Sequence, residues 1–499
     1  MRIRRALFFA LVLWGSHAHA QLSFSNLLEY QLGNLPYTQP RELSTAYDQL
    51  NLSYGYRLLK ARVKFESFTH PEAAQDYYQF TQRSASVGND RFAFTAGNFY
   101  EILGRGLLLR SYEIPGTVRE DVGLRVRQGF YRDVDGFLLK YQSRVFEVKA
   151  LRGRPLYNSF PPTFDREARR PSLLHGVEAS VRLLQDFTLG GAYLRNEREE
   201  RLSKYSTVFL SANLPFEVQI YSEFARQFRP EQALFDFSNE ASHAFYAGAN
   251  YIAGPLGLSV EAKDYNDFVL LFNDPPPLIK EHPYIVLNRS THVLEPLNET
   301  GWQAEAFLRF NAGHHLTLNA SQAENDFAGR RTIFKELFAE FEYQIDEATA
   351  LKVFADRSDD PFKLEAQRNA VGFYFDKEWP RQWGTVFDVE YQTFERQFTP
   401  TEQVKNYVAS FTLSLAPKFS GGVLWERSTD SQLADDPRTE AIETNARNWL
   451  GGSLGFKYND HHFINAFFGK RRGGPACTAG ICYEVLDFEG VEVRWTSNF

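Results

Sequence analysis

Few residues in this chain have the spacing that bond-making chemistry needs. Gly451-Gly452-Ser453-Leu454-Gly455 matches the G-x-S-x-G pattern of a serine nucleophile. That pattern works on a sharp strand-to-helix turn that lifts the serine oxygen into the open. Here it falls within a predicted strand with no helix after it. His461 and His462 are adjacent, with no cysteine or third histidine nearby, and a structural zinc site needs four ligands. Neither H-E-x-x-H nor a P-loop occurs. The sequence therefore predicts no catalytic, cofactor-binding or metal-binding residue, and a protein that is not an enzyme. Cys477 and Cys482 are the only cysteines, with four residues between them. An oxidising compartment favours a disulfide there, and a two-cysteine metal site would lack its other ligands.

Charge offers a second chemistry, ion pairing in a confined space. Residues 101–172 hold 14 Lys and Arg against 9 Asp and Glu, whereas the whole chain is formally −7. Within that stretch Gly104 and Gly106 flank Arg105, where glycine permits a sharp bend or a close backbone approach. Acidic residues recur on the polar face of alternating runs elsewhere. Glu336, Glu340 and Glu342 share one run; Glu217, Glu223, Glu261, Asp356, Asp388, Glu390 and Glu492 belong to others. A basic segment against an acidic wall would dock by ion pairing at reduced dielectric. The same charges could stay solvated in a wet lumen and on loops. Glu101, Arg105, Arg110, Glu113, Glu336, Glu340 and Glu342 are the candidate lumen or constriction residues. An acidic wall in an open pore would favour cations. The acidic balance excludes a generally basic nucleic-acid binder.

Strands must position these residues. The chain ends Val491-Glu492-Val493-Arg494-Trp495-Thr496-Ser497-Asn498-Phe499, in which Val491, Val493 and Trp495 alternate with Glu492, Arg494 and Thr496. A period of two puts each set on its own face of a strand. An apolar row facing lipid, with a polar row behind it, is the pattern of a transmembrane β-barrel. The pattern recurs in 216–224, 256–263, 316–321, 336–345, 351–356, 385–392 and 407–415, although Phe338 and Phe354 fall on polar rows. Tight turns are predicted near Asp186, Pro215, Pro255, His314, Asp346, Pro380, Pro417 and Asp460. Longer links are predicted at 196–203, 226–242, 264–301, 326–334, 357–367, 396–403, 429–446 and 472–483. Short turns at one end and long loops at the other are a barrel's asymmetry. The expected fold is all-β: one large antiparallel transmembrane β-barrel of about 24 strands, with inward-folded or extracellular loop inserts. Gly490 is expected to mark a bulge, since Leu486 and Phe488 are out of phase with Val491.

Residues 1–20 read as a signal peptide: Arg2, Arg4 and Arg5, an apolar core from Ala6 to Trp14, and the small-x-small site Ala18-His19-Ala20. Residues 21–499 would then be the mature barrel, located in the bacterial outer membrane. Aromatics at 15% suit the interfacial girdles of such a barrel.

Gly97-Asn98-Phe99-Tyr100-Glu101, Gly104-x-Gly106-Leu107 and Arg110-x-Tyr112-Glu113, followed by Asp135-Gly136, resemble the signature of an uncharacterised outer-membrane β-barrel family of Bacteroidota. The resemblance covers about the first third of the mature chain. It implies fold and location and brings no activity or ligand. Extra residues stand between Glu113 and Asp135.

The loop 264–301 is unusually apolar, with Phe268-Val269-Leu270-Leu271-Phe272 and Tyr284-Ile285-Val286-Leu287. It could fold into the lumen, cap the pore or bind a partner. Two functions fit: a pore or transporter for small polar solutes, or a non-conducting scaffold or binding subunit of an envelope complex. The expected partners are outer-membrane lipid and an envelope protein engaged through extracellular loops, with no nucleic acid.

Overall fold

The computed structural model describes residues 20–34, 42–71, 75–121, 126–156, 172–184, 186–199, 201–228, 242–276, 280–293, 298–310, 313–327, 329–433, 447–478 and 481–499. The predicted signal peptide lies outside the described residues apart from Ala20, as do most of the links 226–242 and 429–446.

Alternation builds the wall. In the strand Arg330–Asp346, Leu337 is 62% exposed while its neighbours Glu336 and Phe338 are each 3% exposed. One face therefore meets lipid and the other a crowded interior. A single sheet of 24 strands results. Its first strand, Ala20–Asn34, pairs with Glu42–Tyr56 on one side. On the other side it pairs with the last strand, Phe488–Asn498, from Ser25↔Asn498 to Asn34↔Glu489. The sheet thus closes, and every strand finds both partners, which a bilayer demands of backbone polar groups. Val177, Val208, Leu337, Val371, Leu450 and Val493 point outward from different strands. Trp379, Trp383, Phe310, Phe419 and Tyr458 are exposed at the short-turn end, as an interfacial girdle requires. This closed, apolar-belted barrel belongs in the bacterial outer membrane.

All eight predicted tight turns fall at the end that holds both termini, where connections are no longer than that at 310–314. At the opposite end several predicted links are shorter than expected. Strands continue through 196–203 to pair Arg198 with Arg201, and through 326–334 to pair Phe327 with Arg330. Polar residues there form strand tips, and polarity alone does not separate such tips from loops. Two further corrections concern phase. Glu217 sits in the exposed turn Pro215–Glu217, because the strand begins only at Val218. Gly490 marks no bulge in the pairing of the closing strand, whose register is continuous. Phe488 instead faces inward, on the same row as Glu492, and packs against Phe467. Gly490 is needed for closeness, since a Cβ there would lie 2.2 Å from the Leu32 carbonyl oxygen.

Candidate functional site

Among the described residues, three stretches of chain enter the barrel, each inserted between two strands that neighbour one another. The first, 100–133, separates Phe92–Phe99 from Val134–Gln142, which pair from Phe99↔Val134 onward. The second, 267–297, separates Leu256–Asn266 from Asn298–Arg309. The third, 472–487, separates His462–Arg471 from the closing strand. All three leave from the end opposite the termini.

Apolar burial anchors the first insert. Leu103, Leu107, Leu108 and Leu109 are at most 1% exposed. They pack on an apolar sector of the inner wall that includes Leu138, Leu151, Leu174, Leu194 and Tyr265, with Phe268 and Phe272 of the second insert. Each buried leucine contributes roughly 1.5–3 kcal/mol. A solvated ion pair contributes about 0–1 kcal/mol, so the leucine group dominates the docking.

Wall carboxylates then receive main-chain N–H groups. Gly104 N–H donates to Glu178 Oε2 at 2.6 Å and Arg105 N–H to Glu223 Oε2 at 2.7 Å. Glu223 also accepts from Tyr221 at 2.8 Å and Thr207 at 2.9 Å. Gly104 has φ +58°, and a Cβ on it would lie 2.4 Å from Glu223 Oε1, so only glycine allows this approach. Further along, the hairpin of Tyr112–Glu120 and Arg127–Arg132 lies against the wall where the sheet closes. Arg127 pairs with Glu29 of the first strand and with Glu120. Glu66, fully buried, accepts from Gly129 N–H at 2.6 Å, from Tyr47 and Tyr131 at 2.5 Å each, and from Thr81.

The second insert repeats this chemistry. Its helix, Ile285–Arg289, begins where Glu390 accepts Ile285 N–H at 2.9 Å and Val286 N–H at 2.8 Å. Tyr284 stacks on Phe354 with ring centroids 3.8 Å apart, and His282 meets Phe338 at 4.4 Å. The third insert is a hairpin, Gly474–Thr478 with Ile481–Val485, in which Cys477 and Cys482 are disulfide-bonded. Asn288 joins it to the second insert: its amide donates to the Cys477 carbonyl at 3.1 Å and accepts the Cys477 N–H at 3.0 Å. Tyr483 packs edge-on to Phe130 of the first insert at 4.9 Å.

The sequence-derived candidates divide into two groups that the fold keeps apart. On the first insert, Glu101 pairs with Lys140 and, at 3.4 Å, with Lys149. Glu113 pairs with Lys64. Arg110 N–H donates to Asn273 at 2.6 Å. The Arg105 guanidinium stands 5.1 Å from the Tyr221 ring centre and 5.9 Å from that of Tyr246. The expected contact of Arg105 with the acidic wall is thus made by its backbone. Glu336 and Glu340 lie under the second insert, Glu336 at 3.4 Å from His282 and from Arg368 and Glu340 accepting from Tyr284 at 2.6 Å, while Glu342 stays on the wall at 3.3 Å from Lys352. Glu29, Glu66, Glu178, Arg127 and Arg368 also hold the inserts or their seats, and the alternation pattern does not distinguish them from other polar residues. The signal available was Phe338 and Phe354, aromatic where the row should be polar, because that row meets protein. Ser453 lies mid-strand in Arg447–Lys457. Among the described residues no group of three or more His, Cys, Asp or Glu could hold a metal.

Space remains beside the inserts. A cavity of about 890 Å³ is lined by Glu101, Arg105, Arg110, Lys149, Tyr246 and Glu281, among others. A second, of about 440 Å³, lies where the second and third inserts meet the wall.

Solved outer-membrane structures are similar to this barrel to different degrees. An E. coli P pilus tip assembly intermediate, PapC-PapD-PapK-PapG, aligns with TM-score 0.53 at 9% identity, over 97% of this chain and 62% of that one. The P pilus usher (PapC) translocation pore aligns with TM-score 0.48 at 10% identity, over 96% and 99%. Pseudomonas aeruginosa OccK2 (OpdF) gives TM-score 0.35 at 10% identity, over 96% and 98%. No curated protein matches the sequence. The model of one family of unknown function, DUF6029, matches residues 28–499, and the chain belongs to that family.

Proposed function

We propose that this protein is an outer-membrane pore or transporter for small polar solutes, its lumen narrowed by its own inserts. The observation that carries the reading is the cavity of about 890 Å³ that stays open beside the first insert, with a charged and hydroxyl-bearing lining. An empty barrel of this strand number would be a wide aqueous hole, since diameter grows with strand number. Inserts that fill most of it and leave a polar gap suit selective passage. Arg105, Arg110 and Lys149 outnumber Glu101 and Glu281 in that lining. Many wall acids are occupied by the inserts, so we infer a preference for anions in place of the cation preference that an acidic wall suggested.

The second reading is a non-conducting scaffold that engages an envelope protein through its extracellular loops. The apolar seat of Leu103 and Leu107 to Leu109 favours it, because such a seat fixes the insert rather than letting it swing. Under either reading the setting is a Bacteroidota envelope, as the residues 97–136 suggest. Removal of residues 1–20 on export, solvation by outer-membrane lipid, and the absence of enzymatic turnover and of nucleic-acid binding belong to the same proposal. Planar-bilayer recording on the full-length protein tests it. Stepwise conductance with anion preference is expected; a silent bilayer containing verified folded barrel would favour the scaffold.

A further inference from the structure

The smaller cavity, about 440 Å³, is lined by charges that do not close on one another. Arg472 follows the strand His462–Arg471. Its Nη1 donates to Asn406 Oδ1 at 3.2 Å, and its guanidinium carbon lies 5.4 Å from the Trp449 ring centre. Its Nε is buried without a hydrogen-bond partner. Lys363 Nζ donates to the Thr291 carbonyl at 2.6 Å. Asp487 accepts the Gly473 N–H at 3.0 Å. Among the described residues, none of Arg472, Lys363, Asp487 and Glu484 reaches ion-pair distance of an opposite charge. The other cations of the lining are already served: Arg289 holds Glu426 with both guanidinium arms, and Arg396 holds Asp430 at 2.6 Å.

Neighbours among the four charges influence one another. Burial, then Arg289, draws Arg472 down to about 10, while Asp487 is among the acids that oppose the shift. Partial burial raises Glu484, Asp487 adds to the rise and Lys363 opposes it. All four line the one cavity, two cations and two carboxylates without a counter-charge in reach. Arg472, Lys363 and Asp487 are partly withdrawn from bulk water and Glu484 stands exposed at the rim, so a ligand that brings a counter-charge to each is favoured. A simple anion would serve Arg472 and Lys363 and leave the acids as they are. A simple cation would do the reverse. The volume falls within the rough 300–1,000 Å³ range of small-molecule pockets.

We propose that this cavity binds a small zwitterion, an amino acid or short peptide, its carboxylate meeting Arg472 and Lys363 and its ammonium meeting Glu484 and Asp487. The site deepens the pore reading by naming a solute class. Binding needs no conduction, so the two ideas fail separately.

Isothermal titration of the full-length protein in detergent tests it, with L-alanyl-L-alanine as the probe. N-acetyl-alanyl-alanine, without the ammonium, and alanyl-alanine amide, without the carboxylate, serve as controls. Saturable binding of one dipeptide per barrel is expected, at least tenfold weaker for each capped form. Arg472→Gln and Glu484→Gln should each weaken the dipeptide at least tenfold, and Glu484→Gln should reduce the discrimination against the acetylated form. Should Arg472→Gln lose its heat-modifiable mobility, Glu484→Gln, the most exposed of the four positions, decides alone. The proposal is overturned by absent saturable binding, by capped forms that bind equally well, or by wild-type affinity in Glu484→Gln. Dipeptide binding in a protein that conducts nothing would defeat only the pore reading.

Discussion

A lumenal carboxylate has lone pairs to fill, and Glu66, Glu178, Glu223 and Glu390 fill theirs with N–H groups of the inserts. Hydrogen bonds to a charged partner contribute about 1.5–3 kcal/mol each, roughly twice the neutral kind. Docking therefore depends on backbone shape as much as on arginine content, and Gly104 is where shape is tightest. Gly104→Ala should dislodge the segment 101–113. Its positive φ costs an alanine roughly 1–2 kcal/mol, and the added Cβ also meets the Glu223 carboxylate. Gly116→Ala is the control, with φ +73° but open space around its Cβ. Protease cleavage within 101–113 should rise for the first variant and stay near wild type for the second; equal rates would sink the close-approach argument. Arg105 tests the path itself. It is exposed to the larger cavity, and Arg105→Glu should move the reversal potential in a salt gradient toward cations, with Arg105→Ala intermediate. Unchanged selectivity in Arg105→Glu would mean that ions pass elsewhere.

Strands and inserts obey different rules. On the closing strand Val493 faces lipid and Glu492 faces the lumen, where it accepts from Arg471 at 2.9 Å. Val493→Arg should impair barrel assembly, since a cation facing lipid costs roughly 2–4 kcal/mol at the midplane. Glu492→Gln should retain heat-modifiable mobility, and equal loss in both variants would contradict the faces. The second insert adds a pH dependence through His292. This ring stacks on Phe334 at 4.5 Å, with Nδ1 2.9 Å from Asp360 and Nε2 3.8 Å from Glu299. Burial works to lower its pKa, but the two carboxylates outweigh it and hold it above 6.5. A raised pKa means that protonated His292 strengthens docking fully below about pH 6.5 and that this is lost as pH rises through the raised value. Amide exchange across 284–292, corrected for intrinsic rates, should therefore be slower in mild acid than in mild alkali. His292→Asn should flatten that difference, and an unchanged profile would remove His292 from the account. The wall was legible in the sequence because alternation and turn chemistry are local: Leu337 beside Glu336 already assigns two faces. The docking was not legible, because its contacts join residues far apart in the chain, 118 positions for Arg105 to Glu223 and 104 for Val286 to Glu390. Only Phe338 and Phe354, aromatic on a polar row, carried a local trace of it.

At the scale of the molecule, the three inserts form one body inside the barrel, tied by Asn288 to Cys477 and by Phe130 to Tyr483. Removing one insert should thus widen the path without emptying it. The hairpin around 114–132 is the part to remove, because its termini approach the wall through Glu113 and Asp133. Glu113 pairs with Lys64, and Asp133 accepts from Gln82 at 2.8 Å and Asn98 at 3.0 Å. A plain deletion of 114–132 would also strip Glu66 of Gly129 and Tyr131, and Glu29 of Arg127. Glu29 keeps Arg494, whereas Glu66 would keep only Tyr47 and Thr81. A buried carboxylate that loses donors costs about 1–3 kcal/mol. The deletion should therefore be combined with Glu66→Gln, and heat-modifiable mobility should verify the barrel. Under the pore reading, single-channel conductance should exceed that of the intact protein and stay below that of an unobstructed barrel of this size, because the second and third inserts remain. The anion preference should persist, since Arg105 and Lys149 are untouched. Silence in both forms would defeat the pore reading. Conductance only after deletion would instead identify the native protein as a closed scaffold whose first insert is a permanent stopper.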